Sequence, residues 1–149
     1  MRGADALVLF PEGGNFTERR RRRAIRWLRH HGEHRRAAHA ALDRYVLPPR
    51  TAGTLAALAA APGADVVFVA HTGLDGIDSL ATAWNGIPLR HRVHAHWWRV
   101  PAADLPTDED ARTLWLLDQW DRVDDWVRRH REAGEADEAG KAGRTRPTG

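Results

Sequence analysis

The 149-residue chain has no cysteine, only one lysine and no long apolar run. Without cysteine, neither a disulfide framework nor a thiolate metal site nor a thiol nucleophile can form. No apolar segment approaches the length that crosses a bilayer, and no signal-peptide pattern precedes the first apolar segment. The length fits one domain, with enough apolar residues for a core. We therefore expect a cytoplasmic protein that is at most peripheral to the inner face of a membrane.

The positive charge of the chain is unevenly placed, although the net charge is only +3. Ten arginines lie between Glu18 and Arg44 against three acidic residues, whereas residues 104–125 are mainly acidic. A run of arginines indicates either a solvated charged face or a nearby anion: a membrane surface, a phosphate headgroup, a coenzyme A phosphate or nucleic acid. Nucleic acid is the less favoured partner, because Trp27 is the only aromatic residue in this segment. The run itself is Arg19, Arg20, Arg21, Arg22 and Arg23.

Strand-like and helix-like segments alternate along the sequence. This order predicts an α/β fold with a mostly parallel sheet and flanking helices. The predicted strands cover residues 5–10, 45–47, 65–70 and 91–100. The predicted helices cover residues 18–40, 78–83 and 107–131, and a segment from Thr51 or Thr54 to Pro62. Gly32 can interrupt the first of these helices. The apolar seam of the last one is Leu116, Trp120, Val123 and Val127. Residues 1–131 are predicted as one domain and residues 132–149, which lack periodicity, as a disordered tail.

Residues 7–18 predict a strand that leads through a tight turn into a helix. Pro11 cannot donate to a strand ladder, so we expect the strand to end there. Gly13–Gly14 permits backbone angles or a close ligand approach that side chains forbid. Thr17 suits the N-cap of the following helix. Glu12 is thereby placed beside free backbone N–H groups at a helix start, where anionic groups bind.

The turn resembles a known motif. Phe10-Pro11-Glu12-Gly13, followed by Phe16-Thr17-Glu18, resembles the phosphate-substrate motif of the glycerolipid acyltransferase superfamily, which includes the 1-acylglycerol-3-phosphate acyltransferases of phospholipid biosynthesis. These enzymes transfer a fatty acyl group from an acyl thioester to a lysophospholipid hydroxyl. The resemblance is closest to the lysophosphatidylinositol and lysocardiolipin acyltransferase branch, in which a basic helix and a second motif follow. Leu47-Pro48-Pro49-Arg50-Thr51-Ala52-Gly53 is similar to that second motif.

The resemblance implies an acyltransferase-like fold and a set of substrate-binding residues: Phe10, Pro11, Glu12, Gly13 and Arg50. The turn and its backbone amides would position the glycerol phosphate of the acceptor. Arg50 could pair with a phosphate as a two-point fork, or serve only to close a helix start. At Gly14-Asn15 the family usually has Thr-Arg or Thr-Asp, and that Arg is taken to bind the phosphate. Asn15 can hydrogen-bond but not charge-pair, so the headgroup preference stays open. No cofactor is implied beyond acyl-CoA as a co-substrate.

The family's catalytic motif is a His and an Asp five positions apart, upstream of the Phe-Pro-Glu-Gly turn, with the His as general base on the acceptor hydroxyl. His71 and Asp75 are one position too close and follow a different predicted strand, so no catalytic residue is predicted. The chain therefore looks like the C-terminal portion of an acyltransferase domain. A start codon assigned too far downstream, a split gene and a degenerate, inactive fragment all fit. The alternative is a non-catalytic basic module that binds an anionic membrane or nucleic acid.

Two histidine patterns have metal-ligand spacing. Residues 30–34 fit the H-x-x-E-H spelling of a zinc-protease motif, but Gly32 and the surrounding arginines favour coincidence. His91, His94 and His96 lie on one predicted strand, where a packed or solvated face is the more common outcome. No metal site is predicted.

Overall fold

A computed structural model of the chain describes residues 6–73 and 93–144. Helices dominate this part of the chain, and its two strands form one sheet. The elements in order are α1 (Glu18–His30), α2 (His34–Leu42), α3 (Thr51–Ala60), β1 (Val66–Thr72), β2 (His94–Val100), a short 3-10 helix (Ala102–Asp104) and α4 (Glu109–Arg144). No helix of the described residues is both long and apolar enough to cross a membrane.

The predicted mostly parallel sheet is wrong. β1 and β2 pair antiparallel, with Val66 opposite Val100 and Thr72 opposite His94. Residues 6–10 and 45–47, which were predicted strands, adopt no strand in the structure. The apolar and β-branched composition of a segment indicates an extended chain, but the direction of its partner depends on distant residues.

The burial of β1 shows why its sequence favours the wrong class of sheet. A continuous apolar run predicts a strand covered on both faces, as in parallel sheets. Here only one face is covered, because Phe68 and Ala70 are buried whereas Val67 and Val69 are 53% and 60% exposed. The covering layer is α4, which packs against the inner face of the two strands.

The predicted helix over residues 18–40 is two helices, and the predicted break at Gly32 is confirmed. Gly32 has a φ of +77°, a left-handed conformation that glycine adopts without a Cβ penalty. The Glu33 N–H donates to the Leu28 carbonyl at 2.9 Å, and the Gly32 N–H donates to the Arg29 carbonyl at 3.3 Å. This pair of bonds is the Schellman arrangement that satisfies the last carbonyls of a helix.

Helix α4 provides most of the main core. Its predicted seam is confirmed, because Leu116, Trp120, Val123 and Val127 are all buried. They pack with Trp126 on the inner face of the sheet and on Val46. The Asp108 side chain accepts the Ala111 N–H at 2.7 Å and caps the start of the helix. The helix extends to Arg144, past the predicted end near residue 131 and into the predicted tail.

One buried carboxylate attaches the segment between α2 and α3 to this core. Oδ1 of Asp124 accepts the backbone N–H groups of Arg44, Tyr45 and Val46 at 3.0, 2.6 and 3.2 Å. The indole N–H of Trp120 donates to the Leu47 carbonyl at 2.8 Å. Because these bonds fix residues 44–47, they also set the path of the chain that leads to Arg50.

Candidate functional site

The Phe-Pro-Glu-Gly segment forms a hydrogen-bonded turn. The Gly13 N–H donates to the Phe10 carbonyl at 3.1 Å, which places Pro11 and Glu12 at the two central positions. Gly13 itself has a φ of +66°, so the turn needs glycine there. Thr17 caps α1 as predicted, because its hydroxyl accepts the backbone N–H of Arg20 at 3.2 Å. The turn therefore leads directly to the N-terminus of α1.

The structure brings this turn together with Arg50 from the second motif. The Arg50 N–H donates to the Pro11 carbonyl at 2.9 Å. The guanidinium lies over Gly13, since a Cβ built on that glycine would be 2.9 Å from the Arg50 Cζ. Arg50 is the N-cap residue of α3 but makes no side-chain capping bond. Its guanidinium is therefore directed at the turn and does not close the helix start.

A second arginine covers the next glycine. A Cβ built on Gly14 would lie 2.6 Å from Nη1 of Arg20, and the same nitrogen donates to the Asn15 carbonyl at 3.1 Å. The sequence marks Arg20 only as one member of a basic run. The available signal was its place three residues after the Thr17 cap, because side chains of a helix lean toward its N-terminus and so toward the turn.

An open cavity of about 310 Å³ adjoins the turn. It is mainly apolar, and one guanidinium lies at its wall. Phe10 contributes a side chain that is 80% exposed, and the Thr54 hydroxyl is buried without a hydrogen-bond partner among the described residues. An apolar wall beside a fixed cation suits a ligand with an anionic head and an apolar body. The lining residues are Leu9, Phe10, Pro11, Gly13, Arg50, Ala52, Gly53 and Thr54.

Glu12 is half-buried at the centre of the turn and does not line the cavity. Burial raises the pKa of its carboxyl from 4.5 to about 7. The cause is desolvation, which disfavours the charged form. Near neutral pH the group is therefore divided between a carboxylic acid, which can donate a hydrogen bond, and a carboxylate, which can only accept.

The conformation of Gly13 gives a testable prediction. We expect Gly13→Ala to lower the free energy of unfolding by about 1–2 kcal/mol, because a residue with a Cβ is strained at positive φ. The added methyl also displaces the Arg50 guanidinium. Urea titration followed by tryptophan fluorescence measures the change. Gly53→Ala is the control, since a Cβ on Gly53 meets nothing within 4 Å and lies inside α3. That substitution should raise stability by up to about 1 kcal/mol, and equal behaviour of the two variants would contradict the prediction.

The five arginines at 19–23 do not share one role. Arg21 is used within the fold, because its guanidinium donates to the Asp43 carbonyl and, at 2.8 Å, to the Ala41 carbonyl. Arg22 pairs with Glu18 at 2.7 Å on the surface. Arg19 and Arg23 are exposed, and neither forms an ion pair with another described residue. The expected anionic partner therefore has fewer cations available than the sequence suggests.

The histidine patterns do not meet in a metal-like cluster within residues 6–73 and 93–144, where no group of three or more ligating side chains occurs. His31 instead stacks on Trp27 with ring centroids 4.0 Å apart. His96 stacks on the buried Trp126. His71 is exposed on β1. His91, Asp75 and the predicted helix over residues 78–83 lie outside the described residues.

Comparisons with known proteins agree with the predicted class. The family model described as "Acyltransferase C-terminus" matches residues 85–148. A Schizosaccharomyces pombe protein named "Uncharacterized acyltransferase C428.14" is 24% identical over 131 residues, covering 80% of this chain and 35% of the relative. The chain thus spans about a third of the length of this curated relative. No solved structure matches the chain.

These matches support an acyltransferase family for this chain. The family model covers β2 and α4 and excludes the turn and Arg50, so its support is separate from the two motifs. Neither match identifies a branch, an acceptor or a catalytic residue.

Proposed function

We propose that this chain supplies the acceptor-binding part of a lysophospholipid acyltransferase. The observation that carries the proposal is the Arg50 guanidinium lying on the Gly13 turn, beside an apolar cavity. The acceptor is a lysophospholipid such as 1-acylglycerol 3-phosphate. Its hydroxyl oxygen attacks the thioester carbonyl of acyl-CoA or acyl carrier protein, a C–O bond forms, the C–S bond breaks, and the carrier thiol leaves with the hydroxyl proton. The general base for that proton is not assigned to any residue of this chain.

The turn and the cavity suit different parts of such an acceptor. Arg50 offers a planar fork to the phosphate, a geometry in which charge-assisted hydrogen bonds are strongest. Glu12, at the centre of the turn, has a carboxyl group that can accept a hydrogen bond from a glycerol hydroxyl in either protonation state. Leu9 and Phe10, 43% and 80% exposed, provide apolar surface for the acyl chain.

The same end of the molecule suits a membrane surface. Leu7, Val8 and Phe10 are 59%, 72% and 80% exposed, and the arginines of α1 follow them. Apolar side chains next to cations are typical of segments that bind anionic lipid, at about 1 kcal/mol per basic residue. We accordingly place the protein at the inner face of the cytoplasmic membrane, with Arg19 and Arg23 as lipid contacts.

The phosphate role of Arg50 is tested with the full chain and a short-chain lysophosphatidic acid below its micelle concentration. Isothermal titration should show that Arg50→Ala weakens binding about tenfold, which is the effect of losing a charge-assisted contact at an exposed site. Arg44→Ala is the matched control, because it removes the same charge from an exposed side chain that does not line the cavity. A monoacylglycerol of the same chain length measures the binding that does not depend on phosphate.

Two results would contradict the proposal. One is equal affinity of the wild type for lysophosphatidic acid and monoacylglycerol. The other is tighter binding to duplex DNA than to phosphatidic acid vesicles, with a steep salt dependence, which would favour the basic binding module.

The transfer itself is measured as labelled acyl groups that host cells incorporate into phosphatidic acid. Because this chain is not assigned the general base, a rise is expected only where a polypeptide that supplies that base is expressed with it, and Arg50→Ala should reduce that rise.

A further inference from the structure

Two consecutive glycines of the loop are each covered by a different guanidinium. Arg50 lies over Gly13 from the N-cap of α3, and Arg20 lies over Gly14 from the first turn of α1. The closest approaches to the built Cβ atoms are 2.9 and 2.6 Å. Since adjacent Cα atoms are about 3.8 Å apart, the two cations flank one short piece of backbone.

Neither guanidinium is neutralised within the described part of the chain. Other arginines there do pair with carboxylates, among them Arg21, Arg22, Arg36, Arg99 and Arg128. Arg20 commits one nitrogen to the Asn15 carbonyl and leaves its other N–H donors available. Both guanidiniums add positive potential at the same two-residue segment of the loop, and a ligand with two negative charges gains more from that potential than a ligand with one.

The site would then distinguish ligands by the negative charge of their phosphate group. A phosphate monoester carries about −1.5 to −2 near pH 7, because its second pKa is about 6. A phosphodiester has no second ionisable group and carries only one negative charge. Lysophosphatidic acid is a monoester, whereas lysophosphatidylinositol and lysocardiolipin are diesters.

We propose that Arg20 acts with Arg50 to make this site select a phosphate monoester over a phosphodiester, so that the acceptor is of the lysophosphatidic acid class. The inference rests on the proposed function and names the acceptor class of the same site. It assigns to Arg20, on α1, the second positive charge that Asn15 cannot provide. The acceptor class then differs from that of the branch to which the sequence motifs are most similar.

Arg20→Ala is a suitable test because the hydrogen bond that its side chain makes to the Asn15 carbonyl is exposed. The bond that caps α1 uses the backbone N–H of Arg20 and survives the substitution. Alanine is also the better helix former. Arg44→Ala is the control: it removes the same charge from an exposed side chain that is not among the nearest atoms to a Cβ built on Gly13 or Gly14.

The experiment compares a short-chain lysophosphatidic acid with a lysophosphatidylglycerol of the same chain length by titration of the full chain. The wild type should bind the monoester about tenfold more tightly, since one further charge-assisted contact forms. Arg20→Ala should weaken monoester binding about tenfold and diester binding less than about threefold, which removes the preference. Arg44→Ala should leave the ratio unchanged, and Arg20→Lys should restore part of it, because charge without the fork remains.

Equal binding of the two lipids by the wild type would overturn the inference, as would an equal loss for both lipids in Arg20→Ala. If the ratio survives in Arg20→Ala while Arg50→Ala weakens both lipids, only the role of Arg20 is wrong and the proposed function stands. If neither lipid binds better than monoacylglycerol, the proposed function and this inference both fail.

Discussion

Asp124→Ala is expected to lower the free energy of unfolding by about 3–5 kcal/mol, because it leaves three backbone donors without an acceptor. Asp124 is only 7% exposed, and its Oδ1 accepts the N–H groups of Arg44, Tyr45 and Val46. A buried donor left without a partner, as at Val46, costs about 1–3 kcal/mol, and the part-buried donors of Arg44 and Tyr45 add smaller amounts. A loss of this size is a large share of the stability of a small domain. We therefore expect a substantial unfolded fraction at 37 °C.

The neighbouring carboxylate is the control. Asp125 is exposed and pairs with Arg128 at 3.2 Å on the surface of α4. Removing such a pair typically changes stability by less than about 1 kcal/mol. Asp124→Asn retains an oxygen acceptor and should fall between the two alanine variants. Urea unfolding followed by tryptophan fluorescence gives the comparison, and similar midpoints for Asp124→Ala and Asp125→Ala would refute the anchoring role.

The contacts of Asp124 also connect the core to the candidate site. Asp124 and Trp120 fix residues 44–47 on α4, and the Arg36 guanidinium holds the Pro49 carbonyl at 3.2 Å. Arg50 follows immediately. A ligand that binds through Arg50 should consequently bind more weakly to Asp124→Asn than to the wild type, even where that variant is fully folded.

Features that depend on local chemistry could be predicted from the sequence. The break at Gly32 follows from one residue that tolerates positive φ, and the seam of α4 follows from a 3.6-residue period. Strand direction could not be predicted, because it depends on which distant segment pairs with β1. The exposure of Val67 and Val69 has the same origin, since it reflects the absence of a second layer over that face in the described structure.

The residues of the candidate site also divide into those that a local sequence pattern predicts and those whose role depends on distant residues. The turn and Arg50 were recognisable as two motifs, but their contact is tertiary and only the structure shows it. The role of Arg20 could not be predicted, because Arg20 lies within a run of identical residues. The burial of Asp124 could not be predicted either, because Asp124 lies in an acidic segment, where a carboxylate is usually exposed to solvent. Its role depends on backbone groups that are distant in sequence, which no local pattern encodes.

Asp43 lies in the same buried region as Asp124, and the groups around it determine how stability depends on pH. Asp43 is 5% exposed. Its carboxyl faces Asp124 and Asp121 on α4, and Arg21 on α1 is the nearby cation. His39 on α2 lies 3.3 Å from Asp121. Burial, together with the negative charges of the two other aspartates, raises the pKa of Asp43 from 3.8 to about 8.

This shift predicts that the protein loses stability as the pH rises from about 4 to about 8. Below that range Asp43 is protonated in both states, whereas within it the unfolded chain releases a proton that the folded chain retains, which favours unfolding. Glu12, whose pKa is raised to about 7, acts in the same direction. We expect the free energy of unfolding to fall by about 2–4 kcal/mol between pH 5 and pH 8.5.

Asp43→Asn separates this contribution from other titrations. Asparagine keeps a donor for Asp121 but cannot ionise, so most of the decrease between pH 5 and pH 8.5 should disappear and the variant should be more stable than the wild type at pH 8.5. Asp118→Asn, at an exposed position on α4, should retain the wild-type profile. Thermal unfolding at both pH values measures the difference. A wild type that is equally stable at the two values, or an Asp43→Asn variant with an unchanged decrease, would show that Asp43 is ionised in the folded protein and that Arg21 outweighs the two neighbouring aspartates.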